Sequence, residues 1–194
     1  MRGRPKAGLT TENGAAPAGR RVHIVQGAYE VTRDPQVVLT TLLGSCVAAC
    51  VHDPVAEIGG MNHFLLPDAE GAGDSADVRY GVHSMELLIN GILQLGGRRE
   101  RLRVWLFGGA KLFDRLVDIG AKNAAFAEQF VRREELIPMG GSLGGLKARR
   151  IQFWPVAGRP RQLLLKQAEP GLTAPPVLDS RPPRVQPGSA VELF

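Results

Sequence analysis

Apolar and polar positions follow two periods along this chain, and the periods predict strands toward both ends of its middle part with helices between them. Short apolar or alternating runs bounded by turn-forming residues are typical of strands. The last two such runs flank the sequence VAGRP and should form a hairpin. We expect strands at residues 22–26, 29–31, 37–43, 47–52, 58–66, 102–107, 148–154 and 162–166.

Other segments place apolar residues at helical spacing. A long helix is predicted over residues 82–95, and the pair Gly96-Gly97 should end it, because glycine favours helix C-termini. A second long helix is predicted at residues 121–136 and a short one at 111–118. The apolar positions of the two long helices are Val82, Met85, Leu88, Ile89, Ile92, Leu95, Phe126, Phe130 and Val131.

Strands, then helices, then strands predict the α/β class. We expect one domain at residues 21–168, in which a mixed, mainly antiparallel sheet packs against about two long helices. Residues 1–20 are rich in Gly, Ala, Pro and Arg without periodicity, and residues 169–194 hold six of the 14 prolines. Both ends are therefore expected to be disordered tails.

Charge and composition narrow the function classes. The net charge is +5 over 194 residues, but residues 1–21 carry five basic residues against one acidic residue, which leaves +1 for the remaining chain. No basic helix or aromatic platform accompanies this charge, and we expect no nucleic-acid partner. No stretch reaches the roughly 18 apolar residues of a membrane span. The basic N-terminus lacks the apolar segment of a secretory signal, and two cysteines make a poor disulfide framework, so we expect a cytoplasmic protein without membrane insertion.

The candidate chemistry centres on Cys46 and His63. An imidazole that takes the proton of a thiol generates the thiolate nucleophile. If the Asp53-Pro54 turn is centred between Pro54 and Val55, the two residues lie directly opposite each other on antiparallel strands and share a face. From the spacing alone, two interpretations stay open: a thiol site, or a core cysteine beside a satisfied core histidine.

Two other kinds of site fit the residues less well. Cys46, Cys50, His52 and His63 are possible zinc ligands, but residues four apart on a strand lie about 13 Å apart, too far for one zinc unless the segment is helical. We expect Cys50 to be a small buried hydrophobe and His52 to lie at the surface. The glycine run GGSLGGLK lacks the Gly-Lys-Ser/Thr order of a phosphate loop and predicts a tight turn. No metal and no cofactor are expected.

The residues also resemble a known family. The stretch TTLLGSCVAACVHDPVAEIGGMNHFLLP is similar to the signature of CheD, the chemoreceptor glutamine deamidases of bacterial chemotaxis. Further similarities are YGVHSMELLINGIL, FGGAKLF, IGAKN and GGSLGG, so that the resemblance covers roughly residues 22–166. Met139 departs from it, since an acidic residue is expected before that glycine pair.

The resemblance implies a Cys–His–Thr triad. Cys46 and His63 match its cysteine and histidine, and the threonine six residues before the cysteine is Thr40, with Thr41 as the alternative. Six residues of straight strand span about 20 Å, so the chain must bend before Cys46 for the threonine to reach the site. Gly44 is the expected hinge. Backbone N–H groups at Gly44 and Ser45 are candidates for holding an oxyanion.

The resemblance further implies a cysteine-dependent hydrolase that converts receptor glutamines to glutamates and releases ammonia through a thioester. Its expected partners are methyl-accepting chemoreceptor proteins, which it modifies on their cytoplasmic helices, and a CheC-type phosphatase. Two alternatives stay open. One is a non-catalytic adaptor that binds receptors or a phosphatase, and the other is a related thiol hydrolase such as a transglutaminase.

Overall fold

A computed structural model of the protein describes residues 19–66, 74–112 and 118–165, without the side chains of residues 74–77. Within these ranges there are nine strands, two α-helices and a 3-10 turn at Arg99–Arg101. The helices are α1 (Asp74–Gln94) and α2 (Ile119–Arg133). The strands are β1 (Arg20–His23), β2 (Tyr29–Thr32), β3 (Val37–Leu43), β4 (Val47–Asp53), β5 (Ile58–Asn62), β6 (Arg103–Gly108), β7 (Ile137–Leu143), β8 (Arg149–Trp154) and β9 (Arg159–Leu164).

The strands form two sheets. The first sheet has the order β1-β3-β8-β9 and the second sheet has the order β2-β5-β4-β6-β7. Pairing is antiparallel except for the parallel pairs β1–β3 and β6–β7. The expected α/β class with mixed, mainly antiparallel pairing and two long helices is confirmed. The strands are divided between two sheets because the chain changes sheet between β3 and β4.

Three layers result from this division. All seven residues of β4 are buried, because one face of the second sheet packs on the helices and the other on the first sheet. Val47, Ala49 and Val51 belong to the apolar cluster that includes residues of α1 and α2. Ala48 and Cys50 belong to the cluster between the sheets. A strand buried on both faces loses the polar alternation of a half-exposed strand, as the apolar run of β4 shows.

Both predicted long helices are present, but α1 begins eight residues before its predicted start at Val82, whereas the ends of α2 differ from the prediction by two or three residues. α1 ends at Gln94, and the N–H groups of Gly96 and Gly97 bond back to carbonyls of its last turns, with Gly96 at φ 97°. α2 begins at Ile119 because the Asp118 side chain accepts a hydrogen bond from the N–H of Ala121 at 2.9 Å. The short helix expected at 111–118 falls mostly outside the described residues, as do the predicted tails apart from Gly19 and Arg20.

The prediction of a tight turn at GGSLGGLK was wrong for its first half, which lies in β7. Strand β7 runs parallel to β6, with an irregular register beside Trp105. Gly140 and Gly141 have φ values of 98° and 133°, where residues with side chains are strained. A Cβ on Gly141 would lie 1.9 Å from the Leu106 carbonyl oxygen, so glycine is what lets the two strands pair.

Among the residues that the structure describes, neither helix combines the length and the apolar character needed to cross a membrane.

Candidate active site

Cys46 and His63 lie beside an antiparallel pair that joins the start of β4 to the chain after β5. Val47 and Phe64 exchange two backbone hydrogen bonds of 2.9 and 2.8 Å. The prediction that Cys46 lies directly opposite His63 was wrong, because this register sets Cys46 opposite Leu65. The shift is two residues, so Cys46 and His63 keep the same face and become diagonal neighbours across the pair.

The register differs because the turn is longer than predicted. Asp53 pairs with Ile58, which leaves four residues in the loop instead of two. One carboxylate oxygen of Asp53 accepts the N–H groups of Val55 and Ala56 at 2.9 and 3.1 Å. Its other oxygen binds Arg101 at 2.7 Å. An Asp that bonds the backbone ahead of it stabilises this wider turn.

His63 is held by a short hydrogen-bond chain on its Nδ1 side. Oγ1 of Thr41 lies 2.9 Å from Nδ1 of His63 and 2.7 Å from the carbonyl oxygen of Ile24. A carbonyl only accepts, so the single hydroxyl proton of Thr41 is donated to Ile24. The oxygen of Thr41 must then accept the N–H at Nδ1 of His63. This tautomer leaves a lone pair on Nε2, the form that a general base needs.

Thr41, the alternative candidate, therefore contacts the histidine. Thr40, the threonine that was expected there, does not. Thr40 donates its hydroxyl to the carbonyl of Ile151 at 2.9 Å. Neighbouring residues of a strand point to opposite faces, and only one face of β3 looks toward the second sheet. Thr41 is on that face and is 1% exposed, whereas Thr40 is on the outer face.

The Nε2 atom of His63 is buried and has no hydrogen-bond partner among the described residues. Burial lowers the pKa of His63, although the nearby carbonyl of Ile24 acts to raise it. A neutral imidazole with an unused buried nitrogen is costly for stability, and such atoms are often found at functional sites. His63 is thus kept as a neutral imidazole.

Cys46 is half-buried and carries a free thiol. Its Sγ donates to the side-chain oxygen of Gln26 at 3.5 Å, and no hydrogen bond joins it to His63 in this structure. Burial raises the pKa of the Cys46 thiol, and a hydrogen bond from its own backbone opposes the rise. The resting pair is therefore a neutral thiol and a neutral imidazole.

The backbone of residues 44–46 is fixed by bonds to all three of its carbonyl groups. In contrast, the N–H groups of Ser45 and Cys46 donate to no other residue among those described. A segment with bound carbonyls and available N–H groups beside a thiol can hold an oxyanion. The donors to the three carbonyls are, in order, the N–H of Ala110 at 2.8 Å, the amide of Asn123 at 3.0 Å and the N–H of Gly109 at 2.8 Å.

The expected bend is present between β3 and β4, but its basis differs from the prediction. Gly44 does not have a positive φ, so the bend does not depend on the freedom of glycine there. Glycine is needed instead at Gly108, which has φ 118°. A Cβ on Gly108 would lie 2.0 Å from the carbonyl oxygen of Cys46. The FGGAK segment thus packs against the backbone of residues 44–46 and binds two of their carbonyl groups.

Gln26 was missed by the sequence reasoning. It lies in the turn between β1 and β2, where two backbone bonds fix the chain to His63. Gly27 donates to the His63 carbonyl at 2.7 Å, and His63 donates to the Ala28 carbonyl at 3.0 Å. Gly27 has φ 83°, so the Gln-Gly pair was the available signal of a turn with a defined conformation.

The remaining zinc candidates lie apart from this site. Cys50 is fully buried between the sheets, as expected, and burial raises its pKa. The expectation of a surface His52 was wrong, since it is 6% exposed and its Nδ1 lies 2.8 Å from the Pro155 carbonyl. Within the described parts of the chain, no group of three or more His, Cys, Asp or Glu side chains is arranged to hold a metal ion.

Proteins of one family match this chain in sequence. A sequence profile described as CheD chemotactic sensory transduction matches residues 65–162. A relative from Caulobacter sp. (strain K31) is 59% identical over 146 residues, which cover 75% of this chain and 78% of the relative. The chain belongs to the CheD family.

Other CheD relatives match more of the chain. One from Acidiphilium cryptum (strain JF-5) is 54% identical over 180 residues, 90% of this chain and 94% of the relative. One from Rhizobium etli (strain CIAT 652) is 51% identical over 181 residues, 91% of this chain and 97% of the relative. All three relatives carry the name "Probable chemoreceptor glutamine deamidase CheD".

Similarity to solved structures is weaker. The crystal structure of Bacillus licheniformis protein YfiH matches with a TM-score of 0.41 at 11% identity, covering 59% of this chain and 49% of that chain. That of Neisseria meningitidis protein NMB0706 matches with a TM-score of 0.42 at 11% identity, covering 66% and 64%. Overlaps at this level carry no conclusion about activity.

Proposed function

We propose that this CheD protein is a cysteine-dependent deamidase that converts glutamine side chains of chemoreceptors to glutamate. The names of its relatives support the reaction class. The observation that carries the proposal is the Thr41–His63 bond, which leaves a lone pair on the buried Nε2 on the same face as Cys46.

The first step is proton transfer. Sγ of Cys46 turns from Gln26 toward His63, and Nε2 takes the thiol proton. The thiolate attacks the side-chain carbonyl carbon of the substrate glutamine, and the carbonyl oxygen becomes an oxyanion. Hydrogen bonds between a catalytic thiol and its base often form only when substrate is bound. The lack of a Cys46–His63 hydrogen bond in the free protein is therefore compatible with His63 as the base.

The oxyanion is held by the available N–H groups of Ser45 and Cys46. A well-placed donor of this kind is worth about 3–4 kcal/mol in hydrolases. Gln26 supplies a further donor from its NH₂ group once the amide turns, since its oxygen already lies at the sulfur. Asn123 keeps the loop in place through the Ser45 carbonyl.

Collapse of the intermediate releases ammonia, which leaves with the proton held on Nε2. The product is a thioester between Cys46 and the substrate. His63 then removes a proton from water, whose oxygen attacks the thioester carbonyl. Breakage of the C–S bond returns the thiol and leaves a glutamate, so each cycle adds one negative charge to the substrate.

The receptor helices modified in this way are cytoplasmic, and we expect the protein to act in the cytoplasm. A CheC-type phosphatase remains a predicted partner, which a binding measurement with that protein would test.

The test is ammonia release from a receptor cytoplasmic fragment, together with mass spectrometry of the converted glutamines. Cys46→Ala should abolish both signals and keep the fold. Cys50→Ala is the matched control, because it removes the other cysteine from the core between the sheets. Unchanged ammonia release by Cys46→Ala would refute the proposal, and receptor binding without turnover by the wild type would favour the adaptor.

A further inference from the structure

The outer face of the first sheet is lined by arginines. Residues that pair directly across strands point to the same side, so the strand registers identify which side chains share this face. Leu42 pairs with Arg150 and Arg150 with Leu163, while Gln152 pairs with Arg161 and Trp154 with Arg159. We call the following set the basic face: Arg21, His23, Leu42, Arg150, Gln152, Arg159, Arg161 and Leu163.

The charge of the basic face has no counterpart within the described chain. The four strands of the first sheet contain no Asp or Glu. Ion pairs in the described residues join Arg99 to Glu134 and Arg101 to Asp53, away from this face. The four arginines of the face are all exposed. Each of the four arginines pairs across the strands with an uncharged residue, so the positive charge is spread over the face and is open to an anionic partner.

A hollow lies among these side chains. Arg21, Arg150, Gln152, Arg161 and Leu163 surround a space of about 230 Å³. This volume is below the roughly 300–1,000 Å³ of small-molecule pockets, so the hollow suits the ends of acidic side chains better than a cofactor. Guanidinium groups bind carboxylates through paired, charge-assisted hydrogen bonds, which makes carboxylates a fitting occupant.

Apolar side chains accompany the charge and indicate a polypeptide. Leu42 and Leu163, on either side of Arg150, are 48% and 58% exposed. Arginine mixed with apolar residues is typical of protein interfaces. Single-stranded nucleic acid instead requires exposed aromatic rings on which bases stack, and Trp154, which pairs with Arg159 beside the basic face, is half-buried.

The basic face is near the cysteine. Leu42 precedes Cys46 by four residues, so their Cα atoms are at most about 14 Å apart. The two places face different sides of the first sheet, because Cys46 packs toward the cluster between the sheets and Leu42 lies on the outer side. A receptor segment that contacts both therefore passes over the end of β3, and an α-helix, which rises 1.5 Å per residue, covers this distance in roughly nine residues.

We propose that the basic face binds acidic side chains of the receptor segment that carries the target glutamine; this rests on the proposed function. The occupant is an acidic helical segment with apolar residues. Because deamidation turns a neutral amide into a carboxylate, a segment already deamidated once binds this face more tightly. Conversion of a second glutamine on the same helix is then faster than the first.

Binding is measured first, without turnover. Full-length Cys46→Ala protein is titrated with a labelled helical peptide of Glu, Leu and Ala that contains no glutamine. The double change Arg150→Gln and Arg161→Gln should raise the Kd roughly five- to tenfold and flatten its salt dependence. The matched control, Arg132→Gln with Arg133→Gln, removes the same charge from the last turn of α2 and should leave the Kd unchanged.

Activity then separates the two proposals. With Cys46 intact, the basic-face variant should raise the KM for a receptor fragment and leave that for a short neutral glutamine peptide unchanged. Equal Kd and KM values for the basic-face and control variants would overturn the basic-face proposal alone. Tighter binding of a single-stranded oligonucleotide or of anionic lipid vesicles than of the peptide would overturn it as well. If the wild type converts neither substrate, the result instead contradicts the proposed deamidase function.

Discussion

Thr41 and His63 are joined by a hydrogen bond of 2.9 Å between Oγ1 and Nδ1, and this bond determines which nitrogen of the histidine carries its proton. The hydroxyl proton of Thr41 is used on the carbonyl of Ile24 at 2.7 Å. The threonine therefore accepts at Nδ1, and Nε2 is left as the basic nitrogen. A neutral residue here fixes the tautomer without adding a negative charge to a buried imidazole.

Variants of Thr41 should show whether its hydroxyl orients His63 for catalysis or only stabilises the fold. Thr41→Val should lower kcat for deamidation by at least about tenfold, because the imidazole loses its fixed orientation and tautomer. It should also cost about 1–3 kcal/mol of unfolding free energy, since the bonds of Thr41 to Nδ1 and to the Ile24 carbonyl are lost and only the 3.3 Å contact between those two atoms is left. Thr41→Ser keeps the hydroxyl and should restore most activity. Thr40→Val is the matched control, and an equal loss of kcat in that variant would contradict the assignment.

Gln26 contacts Sγ of Cys46 and should therefore affect the reactivity of the thiol. Gln26→Ala removes the amide beside Sγ and should lower kcat by about tenfold or more, with a smaller change in KM. Gln26→Glu places a carboxylate there and should raise the pKa of the Cys46 thiol, seen as slower iodoacetamide labelling at a given pH. Gln36→Glu makes the same change at an exposed turn remote from the site and serves as the control. Labelling rates of Gln26→Glu equal to those of the control would show that Gln26 does not act on the thiol.

The rate of deamidation should depend on pH through His63. Burial holds the pKa of His63 below its ordinary value of 6.5, and only the neutral ring accepts a proton. Accordingly kcat/KM should stay level as pH falls through 6.5 and decline only at lower pH, where the imidazole becomes charged. The pH–rate profile and the NMR titration of the His63 ring check this. A midpoint at or above 6.5 would instead indicate a thiolate–imidazolium pair in the resting protein.

Asp53 should stabilise the turn that sets the register. Burial acts to raise its pKa, but hydrogen bonds from Arg101 and from the N–H groups of Arg98, Ala56 and Val55 outweigh it and hold the pKa at about 2. The depressed pKa contributes stability above pH 3.8 that is lost as pH falls toward about 2.

Urea unfolding of Asp53→Asn should therefore show a loss of about 2 kcal/mol at neutral pH and a weaker dependence on pH below 4. Asp34→Asn, at an exposed turn, is the control and should change stability much less. Equal losses in the two variants would show that the Asp53 network is not specific to this turn.

Much of the fold follows from local patterns in the sequence. Most strand positions and that of α2 agree with the prediction to within a few residues, because apolar periodicity reflects which faces are buried, but α1 begins eight residues before its predicted start. The glycine-rich β7 was missed for the converse reason: Gly140 and Gly141 have no side chains to mark a face, and their conformation is required only by pairing with β6.

Within the site, the sequence determined that Cys46 and His63 share a face, because a register error of two residues leaves the parity of a strand pair unchanged. Only the tertiary structure decided the register itself, since Asp53 widens the turn through Arg98 and Arg101, far along the chain. It also decided which of Thr40 and Thr41 contacts His63. Both fit the strand equally well, and the choice depends on which face of β3 packs toward the second sheet, a contact between sheets that local pattern does not encode.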